Sequence, residues 1–197
     1  KAPFSPIDVI EEYIRPARMM VNGKKITKPA LSEIEGLSFN DSIELEAFNT
    51  DGLRSLLNTM THVKNMSEKT LRYPGHAKLI KSYIEKEILQ TDVIIKKLFK
   101  EWKLNPGEHE FTILKVEMQT NNKIIEYNLY DEYDESSQTT SMARTTGYTA
   151  TATTNLILEN LFNERGVFPP ELVSKNKKVF DFIINYLSKR NVKISKY

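Results

Sequence analysis

Cysteine is absent from the 197 residues. Its absence removes disulfides, thiolate catalysis and zinc–thiolate sites together, and it fits a cytoplasmic location. Histidine is scarce: His62, His76 and His109 lie far apart, with none of the close pairings that mark metal sites, so no metal is expected. Only seven glycines are present, and no G-x-G-x-x-G or other glycine-rich strand-to-helix turn occurs. On its own residues the chain is therefore not expected to bind a dinucleotide. No apolar run approaches the roughly 20 residues that cross a bilayer, so no membrane span is expected. Lys1 to Tyr13 mixes charges and prolines without an apolar stretch, and no secretory signal is read there. The sequons Asn40-Asp41-Ser42 and Asn65-Met66-Ser67 are then chance matches. An excess of one charge is lacking too: 28 basic against 26 acidic residues leave a net charge of +2, which argues against a nucleic-acid surface. There is no internal repeat and no low-complexity segment.

What is present is ordinary globular material, 40% hydrophobic and 27% charged. The length allows one good core with room for an attached lobe. Ser5-Pro6-Ile7-Asp8 reads as a helix start, with a serine cap and proline at the first helical position. Ile7, Ile10 and Ile14 form its apolar face, and Pro16 stops it near Arg15. Ala17 to Val21 and Lys25 to Lys28 flank Asn22-Gly23, a strong hairpin signal. Ser42 to Phe48 alternates Ile43, Leu45 and Ala47 against Glu44 and Glu46, as a half-exposed strand does. Asn49-Thr50-Asp51-Gly52 breaks it, and Leu53 to Met60 reads as a short helix. Val63 to Asn65 is read as a brief strand. Helices follow over Gly75 to Leu89 and Thr91 to Trp102. The second carries Ile94, Ile95, Leu98, Phe99 and Trp102 on one side and Lys96, Lys97 and Lys100 on the other. A basic amphipathic helix can serve a membrane surface or a partner groove, but a core helix with a solvated lysine face is the commoner case.

After the Asn105-Pro106-Gly107 loop, Phe111 to Thr120 and Lys123 to Asp131 form a hairpin across Asn121-Asn122. Asp131, Glu132, Asp134 and Glu135 are read as its solvated end, since the glycine and closing glutamate of a calcium loop are missing. Ser141 to Gly147 leads into a helix to about Asn163, capped by Thr145, Thr146 or the preceding serine. Small residues at its start allow close approach of a ligand or of a packed backbone. Gly166 to Pro170 is a connector. Val179, Phe182, Ile183, Tyr186 and Leu187 mark a last helix, and Val192 to Ile194 an edge strand. Helices and antiparallel strands mix without a βαβα rhythm, which predicts an α+β fold, a mixed and largely antiparallel sheet with helices packed on it.

The stretch with the clearest chemistry is Lys69-Thr70-Leu71-Arg72-Tyr73-Pro74-Gly75-His76. A short extended run delivers Arg72 to a Pro-Gly break. Proline keeps Tyr73 extended, glycine allows a sharp turn, and His76, Leu79, Ile80, Tyr83, Ile84 and Ile88 recur at helical spacing. A guanidinium at such a corner suits a carboxylate, held by two parallel hydrogen bonds. The carboxylate is either a structural Asp or Glu or part of a ligand, and the local pattern leaves both open.

Four stretches in order resemble the substrate domain of saccharopine dehydrogenases. They are Phe4-Ser5-Pro6-Ile7-Asp8-Val9-Ile10-Glu11-Glu12-Tyr13 with Arg15-Pro16-Ala17-Arg18, Glu46-Ala47-Phe48-Asn49-Thr50-Asp51-Gly52-Leu53-Arg54, Glu68 to His76, and Ser141-Met142-Ala143-Arg144-Thr145-Thr146-Gly147-Tyr148. The resemblance spans nearly the whole chain. It implies that residues 1–197 are the substrate-binding and dimerisation domain of a longer parent, whose amino-terminal Rossmann domain binds NAD or NADP and carries most of the acid–base groups. The implied reaction is oxidation of a secondary-amine amino acid such as saccharopine to an imine that water splits, a step of lysine metabolism. This portion alone would then be inactive and bind no cofactor.

By the same resemblance Thr70, Leu71 and Arg72 contact substrate, and Arg72 clamps a carboxylate. A second substrate arginine of fungal saccharopine reductases aligns with Thr50, which is uncharged. Either Arg54 or Arg144 substitutes, or the substrate is smaller or more basic, as in carboxynorspermidine-forming relatives of polyamine metabolism. A free-standing module that kept the fold and lost the chemistry is the other alternative. A homodimer is expected, with Phe111 to Asp131 as its candidate surface.

Overall fold

The computed structural model describes residues 1–2, 4–86 and 92–197. The fold is α+β, with every paired strand of its three small sheets antiparallel. The chain divides into two compact units, Lys1–Leu104 and Asn105–Tyr197, and the expected Asn105-Pro106-Gly107 loop opens the second.

In the first unit, helix α1 (Pro6–Ile14) carries proline in its first turn and ends at Arg15, which is extended. Its buried face is Val9, Ile10 and Tyr13. Ile7 and Ile14, expected on that face, are 56% and 54% exposed. The i, i+4 spacing of Val9 and Tyr13 describes the covered stripe better than the isoleucines do. Strands β1 (Ala17–Val21) and β2 (Lys24–Lys28) form the predicted hairpin. Asn22 and Gly23 both take positive φ, as the primed turn needs.

The central sheet of this unit is β3 (Glu35–Phe39), β4 (Ile43–Asn49) and β5 (Lys69–Arg72), with β4 in the middle. β3 was not anticipated, and it changes the reading of β4. Flanked on both edges, β4 is buried from Leu45 to Asn49 rather than half-exposed. After it, α2 (Leu56–Thr59) is shorter than expected. Val63 to Asn65 forms no strand. The chain there is tied to β1 at a single bridge, where Met20 and Met66 exchange backbone bonds of 3.0 and 2.9 Å.

Beyond β5, Gly75 turns with φ 93° and α3 (His76–Glu85) begins. Ala77 and Ile80 are its buried residues, while Leu79 is exposed. Helix α4 spans Asp92–Trp102, with Leu98 buried and Lys96, Lys97 and Lys100 solvated. Ile88, Leu89 and Thr91 lie outside the described residues. The core joins α1, β4, α3 and α4 through Val9, Tyr13, Leu31, Phe48, Ala77, Ile80 and Leu98.

In the second unit, β6 (Phe111–Gln119) and β7 (Ile124–Glu132) form the predicted hairpin, and β8 (Ile194–Lys196) adds to the β7 edge. Helix α5 (Ser141–Leu158) starts earlier and ends sooner than expected. Its cap is Thr140, whose hydroxyl accepts from the Ala143 N–H at 3.2 Å. A four-residue helix, α6 (Pro170–Val173), and α7 (Lys177–Ser188) follow. Leu129, Leu187 and Val192 form the core, with Tyr148, Ile183 and Ile194 packed against it.

Candidate functional site

Two strand-to-helix corners meet in the first unit because β4 and β5 are antiparallel neighbours. The register sets Asn49 opposite Lys69, Phe48 opposite Thr70, Ala47 opposite Leu71 and Glu46 opposite Arg72. The chain leaving β4 therefore runs beside the chain entering β5. Thr50 and Thr70 meet there with hydroxyl oxygens 2.8 Å apart. The Thr50 hydroxyl donates to the Glu68 carboxylate at 2.7 Å. A hydroxyl has one proton, so the Thr70 hydroxyl donates to Thr50. Glu68 also accepts the Gly52 N–H at 2.9 Å. Gly52 has no φ constraint to explain it, but a Cβ there would stand 2.4 Å from the Glu68 carboxyl carbon.

At the other corner Glu46, though only 8% exposed, has a role that its sequence neighbours do not reveal. Its carboxylate accepts the N–H groups of Gly75 at 2.8 Å and Ala77 at 2.5 Å. An anion is stabilised at a helix start by unpaired amides and the helix dipole. Glu46 thus pins the Pro74-Gly75 turn that aims Arg72 and His76.

Tyr13, from α1, is the hub of this corner. Its hydroxyl accepts from Arg72 Nε at 3.2 Å and lies 2.9 Å from His76 Nε2. Burial first, and the Arg72 charge second, depress the His76 pKa to about 4. His76 is therefore neutral at pH 7, and in its Nδ1-protonated tautomer Nε2 accepts the Tyr13 proton. In that tautomer the relay runs Arg72 Nε–H to Tyr13 Oη–H to His76 Nε2. Burial also pushes the Tyr13 phenol and the Glu12 carboxyl upward, and Arg72 opposes both shifts.

Arg72 itself is one-third exposed. One Nη1 proton goes to the Leu71 carbonyl at 2.8 Å, and Nη2 stands 3.8 Å from Glu12. That last distance is too long for a hydrogen bond. Among the described residues, Nη2 has no hydrogen-bond acceptor. Of the other expected contact residues, Leu71 is a half-buried β5 residue beside Ala47.

Arg144 sits in the second unit with its side chain 7% exposed. It donates to Asp131 from Nε at 3.1 Å and from Nη2 at 3.2 Å, and to the Arg190 carbonyl at 3.2 Å. Nη1 is 3.1 Å from Asp134. Asp131 is correspondingly 6% exposed, not the solvated hairpin end expected of it. The acid and its partner are 13 residues apart, and nothing local marks them as a pair.

Sequence reasoning gave Tyr13, Glu46 and Glu68 no role. For Tyr13 a signal existed, its helical spacing from Val9 and Ile10. For the two glutamates none did, because their partners lie on other elements.

Antiparallel sheets with no parallel strand pair among the described residues hold no βαβ unit, so these residues do not fit a dinucleotide site. Among them there is also no cluster of metal-ligating side chains, and no helix is long and apolar enough to cross a membrane. The described residues thus form two α+β units, the first with a polar corner that presents an arginine. Residues 1–192 match the model of the saccharopine dehydrogenase C-terminal domain, and the chain belongs to that family. In fold it is similar to apo histidine-tagged saccharopine dehydrogenase (L-Glu forming) from Saccharomyces cerevisiae, with a TM-score of 0.77 at 13% identity. That match covers all of this chain and 62% of the yeast chain.

Proposed function

We propose that this chain is the substrate-binding portion of an NAD(P)-dependent oxidoreductase acting on a secondary-amine amino acid such as saccharopine, in lysine metabolism. The cofactor and the acid–base groups belong to parts of the parent beyond these residues. Arg72 grips a substrate carboxylate, with Thr70, Leu71 and Thr50 forming the adjoining wall. The observation that carries this reading is the unspent hydrogen-bonding capacity of Arg72. Nε and one Nη1 proton are used to fix its direction through Tyr13 and the Leu71 carbonyl, while Nη2 remains without an acceptor among the described residues. A guanidinium oriented from behind, with only the Glu12 carboxylate at 3.8 Å beside its Nη2, binds a carboxylate with little further cost for its own ordering.

Arg144 has a different role in this reading. Its committed contacts to Asp131 and Asp134 hold β7 to α5, and it does not replace a missing clamp at Thr50. Thr50 faces Glu68 instead. That acidic neighbour favours, as a second reading, a more basic substrate of the carboxynorspermidine kind. The test is Arg72→Ala in the complete parent enzyme, which should weaken substrate binding by roughly 2 to 4 kcal/mol. Unchanged affinity and rate would sink the assignment. A panel of saccharopine against diamine-derived amino acids separates the two substrates.

We further propose that the molecule forms a homodimer through the β6–β7 hairpin. Leu114, Val116 and Met118 alternate along one face of β6 and are all exposed, as a surface awaiting a partner sheet would be. A monomer by sedimentation at high protein concentration refutes this.

A further inference from the structure

A concavity in the first unit lies between the β1–β2 hairpin and α2. It measures about 130 Å³ and is lined by Arg18, Lys25, Ile26, Thr27, Arg54, Leu57 and Asn58. Three of these seven side chains are cations, and no acid lines it. Arg18 stands opposite Thr27 in the hairpin register, and Lys25 is two residues from Thr27. Thr27 and Lys25 therefore share a strand face. Leu57, which is buried, supplies an apolar part of the lining.

The charges are only partly answered within the chain. Asp51 takes Arg18 Nε at 2.9 Å and Nη2 at 2.8 Å. This hydrogen-bonded pair holds the Asp51 carboxyl below its usual range. It also fixes the Arg18 guanidinium, leaving the Nη1 protons outward. Lys25 spends one proton on Asn58 Oδ1 at 2.6 Å and keeps two. Arg54 carries no hydrogen bond or ion pair among the described residues, and its backbone is left-handed at φ 48°. A non-glycine residue there is uncommon and costs energy, and it puts Arg54 on the cavity wall just before α2. With Arg18 already answered by Asp51, the surplus positive charge at this concavity comes from Lys25 and Arg54, and an anion placed between them and the outer edge of Arg18 is attracted by all three.

We propose that Arg18, Lys25 and Arg54 form a binding site for a small oxyanion, the carboxylate or phosphate group of a larger ligand or the free ion. Asp51 and Asn58 orient two of the cations, Thr27 adds a hydroxyl, and Arg54 closes the third side. This site is separate from the Arg72 corner and stands whether or not Arg72 grips a substrate.

The test uses the 197-residue chain, labelled with ¹⁵N and titrated separately with inorganic phosphate and with glutarate. Potassium chloride holds ionic strength constant, and the arginine Nε–Hε resonances are followed. The expected result is saturable movement of the Arg18 and Arg54 resonances. Arg54→Gln should weaken apparent affinity by about fivefold or more, as loss of one partly exposed charged contact does. Arg72→Gln should leave it within about twofold. Tighter binding of phosphate assigns a phosphate group, and tighter binding of glutarate a carboxylate. Shifts no larger than chloride alone produces overturn the proposal. So does an Arg54→Gln chain that binds as well as the unaltered one, or loss of binding in Arg72→Gln instead.

Discussion

Acidification should loosen the first unit through one residue, His76. Its half-buried ring lies beside Arg72 and 2.9 Å from the Tyr13 hydroxyl, and its pKa falls from 6.5 to about 4. Between those values the unfolded chain binds a proton that the folded chain refuses. Stability attributable to His76 therefore rises with pH across this window, is complete above about 6.5, and is lost as pH falls toward 4. At 1.36 kcal/mol for each tenfold change, full burial would give about 3.4 kcal/mol. The ring is only partly buried, and solvent screening reduces the expectation to about 2 kcal/mol. Charging His76 also reverses the relay, since a protonated Nε2 can no longer accept from Tyr13 and sets a second cation against Arg72. Trp102, the single tryptophan, packs on the same core and reports unfolding of this unit by fluorescence. Urea unfolding of the unaltered chain and of His76→Gln should be compared at pH 7, 5.5 and 4. The stability difference between them should shift by about 2 kcal/mol against the unaltered chain over that range. Parallel pH profiles, or an imidazole C2–H titration centred near 6.5 for His76, would refute the reasoning.

Three further perturbations are worth making. Gly52→Ala should destabilise by about 1 to 2 kcal/mol, because its Cβ displaces the Glu68 carboxylate from Thr50 and the Gly52 amide. In a double-mutant cycle with Glu68→Ala the two losses should be strongly non-additive, and additivity in urea melts rejects the shared mechanism. Arg144→Ala should cost about 3 to 5 kcal/mol, since it strands buried Asp131; calorimetry showing under 1 kcal/mol counts against a structural role. Val116→Glu should reduce self-association without loss of fold, and an unchanged sedimentation coefficient in a dimeric preparation removes that face from the interface.

Local chemistry made parts of this fold readable. Asn22-Gly23 dictates a primed turn, Pro74-Gly75 a corner, and the alternation along Phe111 to Asp131 a hairpin. What was not readable depends on partners far along the chain. β3 contains a glycine, a serine and a glutamate and has little strand signal of its own; it exists because β4 offers it an edge. Glu46 and Glu44 look alike in sequence, yet one is buried and the other exposed. The difference is the pair of amides at the start of α3, those of Gly75 and Ala77, that donate to Glu46 from 29 and 31 residues on. The corner of Thr50 and Thr70 was legible as two separate corners, and only the β4–β5 register joins them.

The arginines carry the functional argument, because four residues of one type stand in four states of satisfaction. Arg144 is fully spent on two aspartates and a carbonyl, and its removal should be felt as stability. Arg18 is half spent: Asp51 holds one edge of its fork. Arg72 is aimed by Tyr13 and the Leu71 carbonyl, with no acceptor within hydrogen-bond distance of Nη2. Arg54 makes no hydrogen bond or ion pair among the described residues, its charge reaching Glu12 and Asp51 only at longer range, and it stands there with an unfavourable backbone. A folded chain gains little internally from an ordered guanidinium edge without a hydrogen-bond acceptor, since side-chain ordering costs entropy that only a contact repays. The residues whose cost is unrecovered inside the molecule are those whose return must come from a ligand. By that criterion Arg72 and Arg54, rather than the better-bonded Arg144, are where binding should be sought.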